Sequence, residues 1–81
     1  NKLSQQEWSD FVGEVSFQVT RASKVIHFFG GSATYERWQN VCFVAEVFES
    51  RLQGLKQDVA RVRGVYRQDS VAIVVGNVEM I

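Results

Sequence analysis

The 81-residue chain contains no proline, one cysteine, one histidine and one methionine, and its nine basic side chains are cancelled by nine acidic ones. A single cysteine excludes an internal disulfide. One cysteine with one histidine supplies too few ligands for a structural zinc site, so no metal is expected, and no cofactor is expected either. Balanced charge leaves no global field to attract nucleic acid or a membrane surface, and it does little to oppose self-association. There is no run of 18 apolar residues, which excludes a membrane-spanning helix by sequence, and there is no visible signal peptide, repeat or low-complexity stretch. The chain begins at Asn1 rather than Met. The expectation is a soluble protein, of the cytoplasm or, if an upstream signal has been removed, of the periplasm.

What the chain has in quantity is apolar residues, 46% of the total, enough for a globular core. We read residues 1–81 as a single domain, one short enough to bury only about 60–65% of its unfolded surface. Leu52, Leu55, Val59, Val62 and Tyr66 recur at steps of 3 and 4, which stacks them on one side of a helix over about 49–67. Before it lies Val41-Cys42-Phe43-Val44-Ala45 and after it Val71-Ala72-Ile73-Val74-Val75. A strand, a helix and a strand in about 40 residues read as a βαβ crossover. Upstream, Ser4 and Glu7 have the spacing of a capping box, with Leu3 and Trp8 at the positions of a hydrophobic staple. Trp8, Phe11, Val12, Val15 and Val19 then keep helical spacing, placing a first helix at about 5–19.

Residues 24–29 are rich in β-formers. Strict alternation would point Val25, His27 and Phe29 one way and Ile26 and Phe28 the other. Gly30-Gly31-Ser32 reads as a turn, and a long second strand is expected over 35–48. In it Val41, Phe43, Ala45 and Val47 share one face, and Cys42, Val44 and Phe48 the other. The order αββαβ lacks only a leading strand to complete the βαββαβ ferredoxin-like plan, an α+β fold with two helices on one face of a mainly antiparallel sheet. That first strand is either absent or supplied from elsewhere.

Several blocks resemble a small bacterial family known only as a domain of unknown function, whose members often carry a secretion or lipoprotein signal. The matching residues are Glu7-Trp8 with Phe11, Lys24-Val25-Ile26 with Gly30, and Tyr66-Arg67-Gln68 leading into Asp69-Ser70-Val71. The family's proline-containing segment after the first helix is replaced here by residues 16–23, and its first strand has no counterpart. The resemblance implies a ferredoxin-like α+β topology and carries over no catalytic residue.

Candidate chemistry is sparse. His27 is a possible general base near neutral pH, against the plainer reading of a histidine packed beside the core. Tyr35 and Arg37 share a strand face and offer a hold for a carboxylate or phosphate; a cross-strand aromatic pair with a solvated charge pair is the better reading. Gly30-Gly31-Ser32 lacks the lysine and helix of a phosphate loop, so a turn is the better reading than an anion nest. Lys56, Arg63 and Arg67 fall within about 40° of one another on the second helix, a basic flank diluted by Glu49. Cys42 is read as an inert thiol in an apolar strand. Glu46 is a site candidate if buried and a solvated strand residue if not.

Both faces of the strands carry large apolar groups, whereas a sheet face that meets water should be polar. An exposed sheet this apolar marks an interface or a ligand site. The leading expectation is therefore a non-enzymatic domain that forms a homodimer through Ile26, Phe28, Cys42, Val44 and Phe48, with a small hydrophobic ligand as a further possibility. One alternative is a small dimeric enzyme of the isomerase or cofactor-free oxygenase kind, in which His27, Tyr35, Arg37 and Glu46 converge in a pocket. The other is a nucleic-acid binder using Lys56, Arg63 and Arg67.

Overall fold

The capping box at the start of the chain forms as its spacing requires: the Glu7 backbone N–H donates to Ser4 Oγ at 3.1 Å, and the Ser4 N–H donates to Glu7 Oε1 at 3.0 Å. Together they satisfy two of the donors that every helix N-terminus leaves open. The computed structural model describes residues 3–32, 39–77, 79 and 81. From the cap, helix α1 runs over Gln5–Ala22, strand β1 over Ser23–Gly31, strand β2 over Val41–Val47 and helix α2 over Glu49–Val65. The result is a small α+β fold in which β1 and β2 form a two-stranded antiparallel sheet.

The Ser4 N–H and hydroxyl, helped by Arg67, hold the Glu7 carboxyl below its ordinary pKa of 4.5. A carboxyl depressed in the folded state adds stability that is complete above the unfolded pKa and is lost as pH falls through the folded one. Glu7→Gln is therefore expected to flatten the acid side of the stability–pH curve below about pH 4.5 and to leave its shape above pH 6 unchanged. Urea denaturation at a series of pH values reads this directly; an unchanged acid slope would contradict it.

Helix α1 continues three residues beyond the expected end and passes into β1 without a loop. Ser23 is at once its C-cap and the first strand residue, with the Ser23 hydroxyl donating to the Val19 carbonyl at 2.6 Å. The two helices run antiparallel. Glu7 and Phe11 near the start of α1 meet Arg67 and Tyr66 at the end of α2, while Arg21 at the other end meets Asp58 at 3.0 Å. Val19, Ala22 and Leu55 form the centre of the core, with Val15, Phe43, Ala45, Val47 and Val59 packed against them. The α2 stripe read from the sequence supplies the two most deeply buried positions of that helix, Leu55 and Val62, the latter 1% exposed.

Helix α2 ends in a full Schellman turn: the Arg67 N–H donates to the Gly64 carbonyl and the Gln68 N–H to the Arg63 carbonyl, the bond pattern of that motif. Arg67 takes the left-handed position, φ 57°, that normally belongs to glycine. Such a conformation costs a side-chain-bearing residue about 1 kcal/mol. The Arg67–Glu7 pair at 3.4 Å is exposed and returns less than about 1 kcal/mol. Arg67→Gly should therefore raise stability by about 0.5 kcal/mol or more, seen as a higher urea midpoint. A lower midpoint would mean that the ion pair outweighs the backbone strain.

Three expectations need correction. Residues 71–77 form no strand, so α2 is not the middle of a completed βαβ unit among the described residues. In the ferredoxin-like plan the strand after the second helix lies beside the strand before the first one, and that neighbour is not among the described residues; extended backbone without a neighbour has no ladder to join. The second strand starts at Val41 rather than earlier: Gln39 and Asn40 are not in β2, and residues 35–38 lie outside the described residues. Gly30 and Gly31 are not a turn but the end of β1, paired with Cys42 and Val41. Ser32 and Asn40 close the connection instead, the Asn40 N–H reaching Ser32 Oγ at 2.8 Å. Gly31 is needed for space, because a Cβ there would collide with the Asn40 carbonyl.

Candidate functional site

Two irregularities in β1 decide what the sheet shows to the outside. Its register with β2 shifts between Ser23 and Val25 and again between Ile26 and Phe28, so that Lys24 and His27 oppose no residue. Each extra residue resets the alternation of faces. Ile26 sits opposite Ala45 and Phe29 opposite Phe43, on the face that meets the helices, whereas Val25 sits opposite Glu46 and Phe28 opposite Val44 on the other. His27 joins that outer face, where its Nε2 lies 2.7 Å from Glu46 Oε2. The strict alternation expected for β1 is thus broken at His27, and Phe28 and Phe29 take opposite sides to those it implies for a shared set with Ile26 and Val25.

The outer face that results is apolar and open. Phe28 is 53% exposed and Val44 50%, with Val25 and the Cys42 thiol also exposed beside them. Of the five residues expected on this surface, Phe28, Cys42 and Val44 are there. Ile26 is on the inner side. Phe48 caps the start of α2, its ring between the Lys24 ammonium at 5.5 Å and the Arg51 guanidinium at 5.1 Å, a cation–π arrangement that uses its faces locally. Val25 belongs to the outer group and strict alternation misses it. The inner face is covered only at its base: Phe29 stacks on Phe43 at 4.7 Å yet remains largely exposed. Beside Phe28 and Cys42 a shallow depression of about 430 Å³ extends over Gly30, Gly31, Ser32, Asn40 and Val41.

Of the residues considered for catalysis, His27 and Glu46 meet, and Tyr35 and Arg37 lie outside the described residues. The His27–Glu46 contact is half exposed on both sides and lies on the open sheet face, and neither residue lines the depression at Phe28 or a larger groove elsewhere. Glu46 is therefore the solvated strand residue rather than a buried acid, and Cys42 stands at the surface rather than in the apolar enclosure expected for it.

The basic flank of α2 does not act as a set. Arg63 donates to the Gln68 and Asp69 carbonyls at 2.8 and 3.3 Å and so clamps the turn after the helix, Arg67 pairs with Glu7, and Lys56 is left exposed. The larger groove, about 570 Å³ and wide open, runs between α1 and α2 and is lined by Asp10, Glu14, Gln18, Arg61 and Tyr66 among others. Partial burial and the Glu14 and Asp10 carboxylates push the Tyr66 phenol above its usual pKa. Gln18 is buried with its Oε1 unpartnered. Among the described residues no three His, Cys, Asp or Glu side chains converge as a metal would require, and no helix is long and apolar enough to cross a membrane.

Comparison of the chain with known protein families, with curated proteins and with solved structures returns no match.

Proposed function

We propose that this chain is a non-enzymatic association module that forms a homodimer by packing the outer faces of two hairpins together. The observation that carries this reading is the pairing of Phe28 with Val44, both half exposed, in the middle of a face that also bears Val25 and Cys42. A half-exposed aromatic–aliphatic pair on an open sheet face is the kind of surface an interface uses, here with the polar His27–Glu46 pair between it and Val25. The chain's zero net charge sets no long-range repulsion against it. The depression beside Phe28 and Cys42 gives a small hydrophobic ligand a place at the margin of the contact. Catalysis has less support, since the His27–Glu46 pair lies open to solvent with no cavity around it. So has nucleic-acid binding, since Arg63 and Arg67 are engaged within the chain. Sedimentation equilibrium of the whole chain tests the proposal. The expected mass at micromolar concentration is that of two 9.2 kDa chains, and a single-chain mass across the range would overturn it.

A further inference from the structure

Helix α1 breaks three local rules on one strip of its surface. Asp10 and Glu14 stand one turn apart, a like-charge spacing that weakens a helix. Gly13 sits inside the helix, where glycine is less favourable than alanine. Nothing in the packing asks for it, because a Cβ there would meet no atom within 4 Å. Gln18, one turn beyond Glu14, is only 9% exposed, and its Oε1 is buried without a hydrogen-bond partner. Natural sequences agree with local preference nearly everywhere, and departures from it gather at functional sites.

All four residues line the groove between α1 and α2. No strand residue lines it, so its shape does not depend on how the sheet is completed. Asp10, Glu14 and Gln18 follow one another at steps of about 6 Å along the helix axis, which sets two carboxylates and an unpaired amide oxygen in a row. One Asp10 oxygen accepts from the Gln6 amide at 2.9 Å. Of the lining residues only Arg61 is basic, and its guanidinium lies 3.9 Å from Asp58. Phe17, 61% exposed, adds an apolar wall. The volume, about 570 Å³, is within the range of small-molecule sites.

We infer that the α1–α2 groove binds a small organic ammonium ion, a primary amine carried on an apolar stem. The ammonium N–H groups donate to Gln18 Oε1 and to the Glu14 carboxylate. The cation offsets the repulsion between Asp10 and Glu14 and gives the buried amide oxygen a donor. The stem lies along Phe17, in the space that Gly13 leaves open. An anion fails on both counts, since the carboxylates repel it and Gln18 Oε1 offers it no proton. The cation is organic because among the described residues no three His, Cys, Asp or Glu side chains converge to hold a metal. The groove belongs to the helices alone, so this inference stands apart from the association proposed through the sheet.

Calorimetric titration of the whole chain with phenethylammonium chloride tests it, with 3-phenylpropionate, of like size and opposite charge, as the control. The expected result is saturable binding of the ammonium ion with a dissociation constant of about 1 mM or tighter, and binding of phenylpropionate at least about tenfold weaker. Glu14→Gln and Gln18→Leu should each weaken ammonium binding at least about tenfold. Glu14 is exposed, so its variant keeps the fold. Gln18→Leu puts an apolar group of similar size where an acceptor is buried unpaired, and circular dichroism checks its folding; should it not fold, Glu14→Gln and the control decide. Equal binding of the two probes, an affinity that either folded variant leaves unchanged, or no saturable binding would overturn the inference and leave the sheet-face association untouched.

Discussion

Val44→Glu is expected to abolish dimer formation in the micromolar range while leaving the single chain folded. Val44 is half exposed on the outer face opposite Phe28, so in an isolated chain the carboxylate remains in water. In a face-to-face dimer it is carried into the contact, on the same face as Glu46. An unpaired buried charge costs about 3–5 kcal/mol, and each 1.4 kcal/mol is tenfold in affinity, so the dissociation constant should rise by about a hundredfold or more. Val44→Ile keeps the surface apolar and should leave the dimer intact. Light scattering and far-UV circular dichroism on the three proteins separate loss of association from loss of fold. Retention of the dimer by Val44→Glu would remove the outer face from the interface.

The second large effect lies in the core. Leu55→Ala should cost about 3 kcal/mol, the middle of the range for truncating a buried leucine. Leu55 is buried at the junction of α1, α2 and the strands, in the same cluster as Val19 and Ala22. Only five apolar residues are buried among those described, and a domain of this length has a total stability of about 4–12 kcal/mol. Losing a quarter or more of it lowers the melting temperature by about 10–25 °C. Half-buried Leu52, one turn earlier on the stripe, should cost less on truncation. The comparison is made at one protein concentration, because association itself shifts the melting point. A loss below about 1 kcal/mol would show that Leu55 is not where the core is held.

The helices were the legible part of this fold. Steps of 3 and 4 along 52–66 and the Ser4–Glu7 spacing placed α1 and α2 and their buried sides, because helix periodicity and caps are local properties. The strands were harder for the opposite reason. Val41, Phe43, Ala45 and Val47 do share the inner side of β2, as alternation requires. In β1 the bulges at Lys24 and His27 reset the faces, and nothing local in a β-branched run announces a bulge. Residues 71–75 have every local mark of a strand and lack only a neighbour, which no propensity can supply. Of the candidate site, the meeting of His27 with Glu46 depends on that same bulge, so the sequence contained both residues but not their contact.

The single thiol offers the most direct measurement of whether the outer face is covered. Cys42 is the only cysteine and lies exposed on that face, two residues before Val44 on β2 and opposite Gly30. Its alkylation rate is to be followed from dilute solution to concentrations where the chain is associated. If two hairpins pack there, the rate should fall at least about tenfold as the dimer forms, because a thiol inside a packed interface is out of reach of the reagent. A rate that stays the same at every concentration would contradict the account.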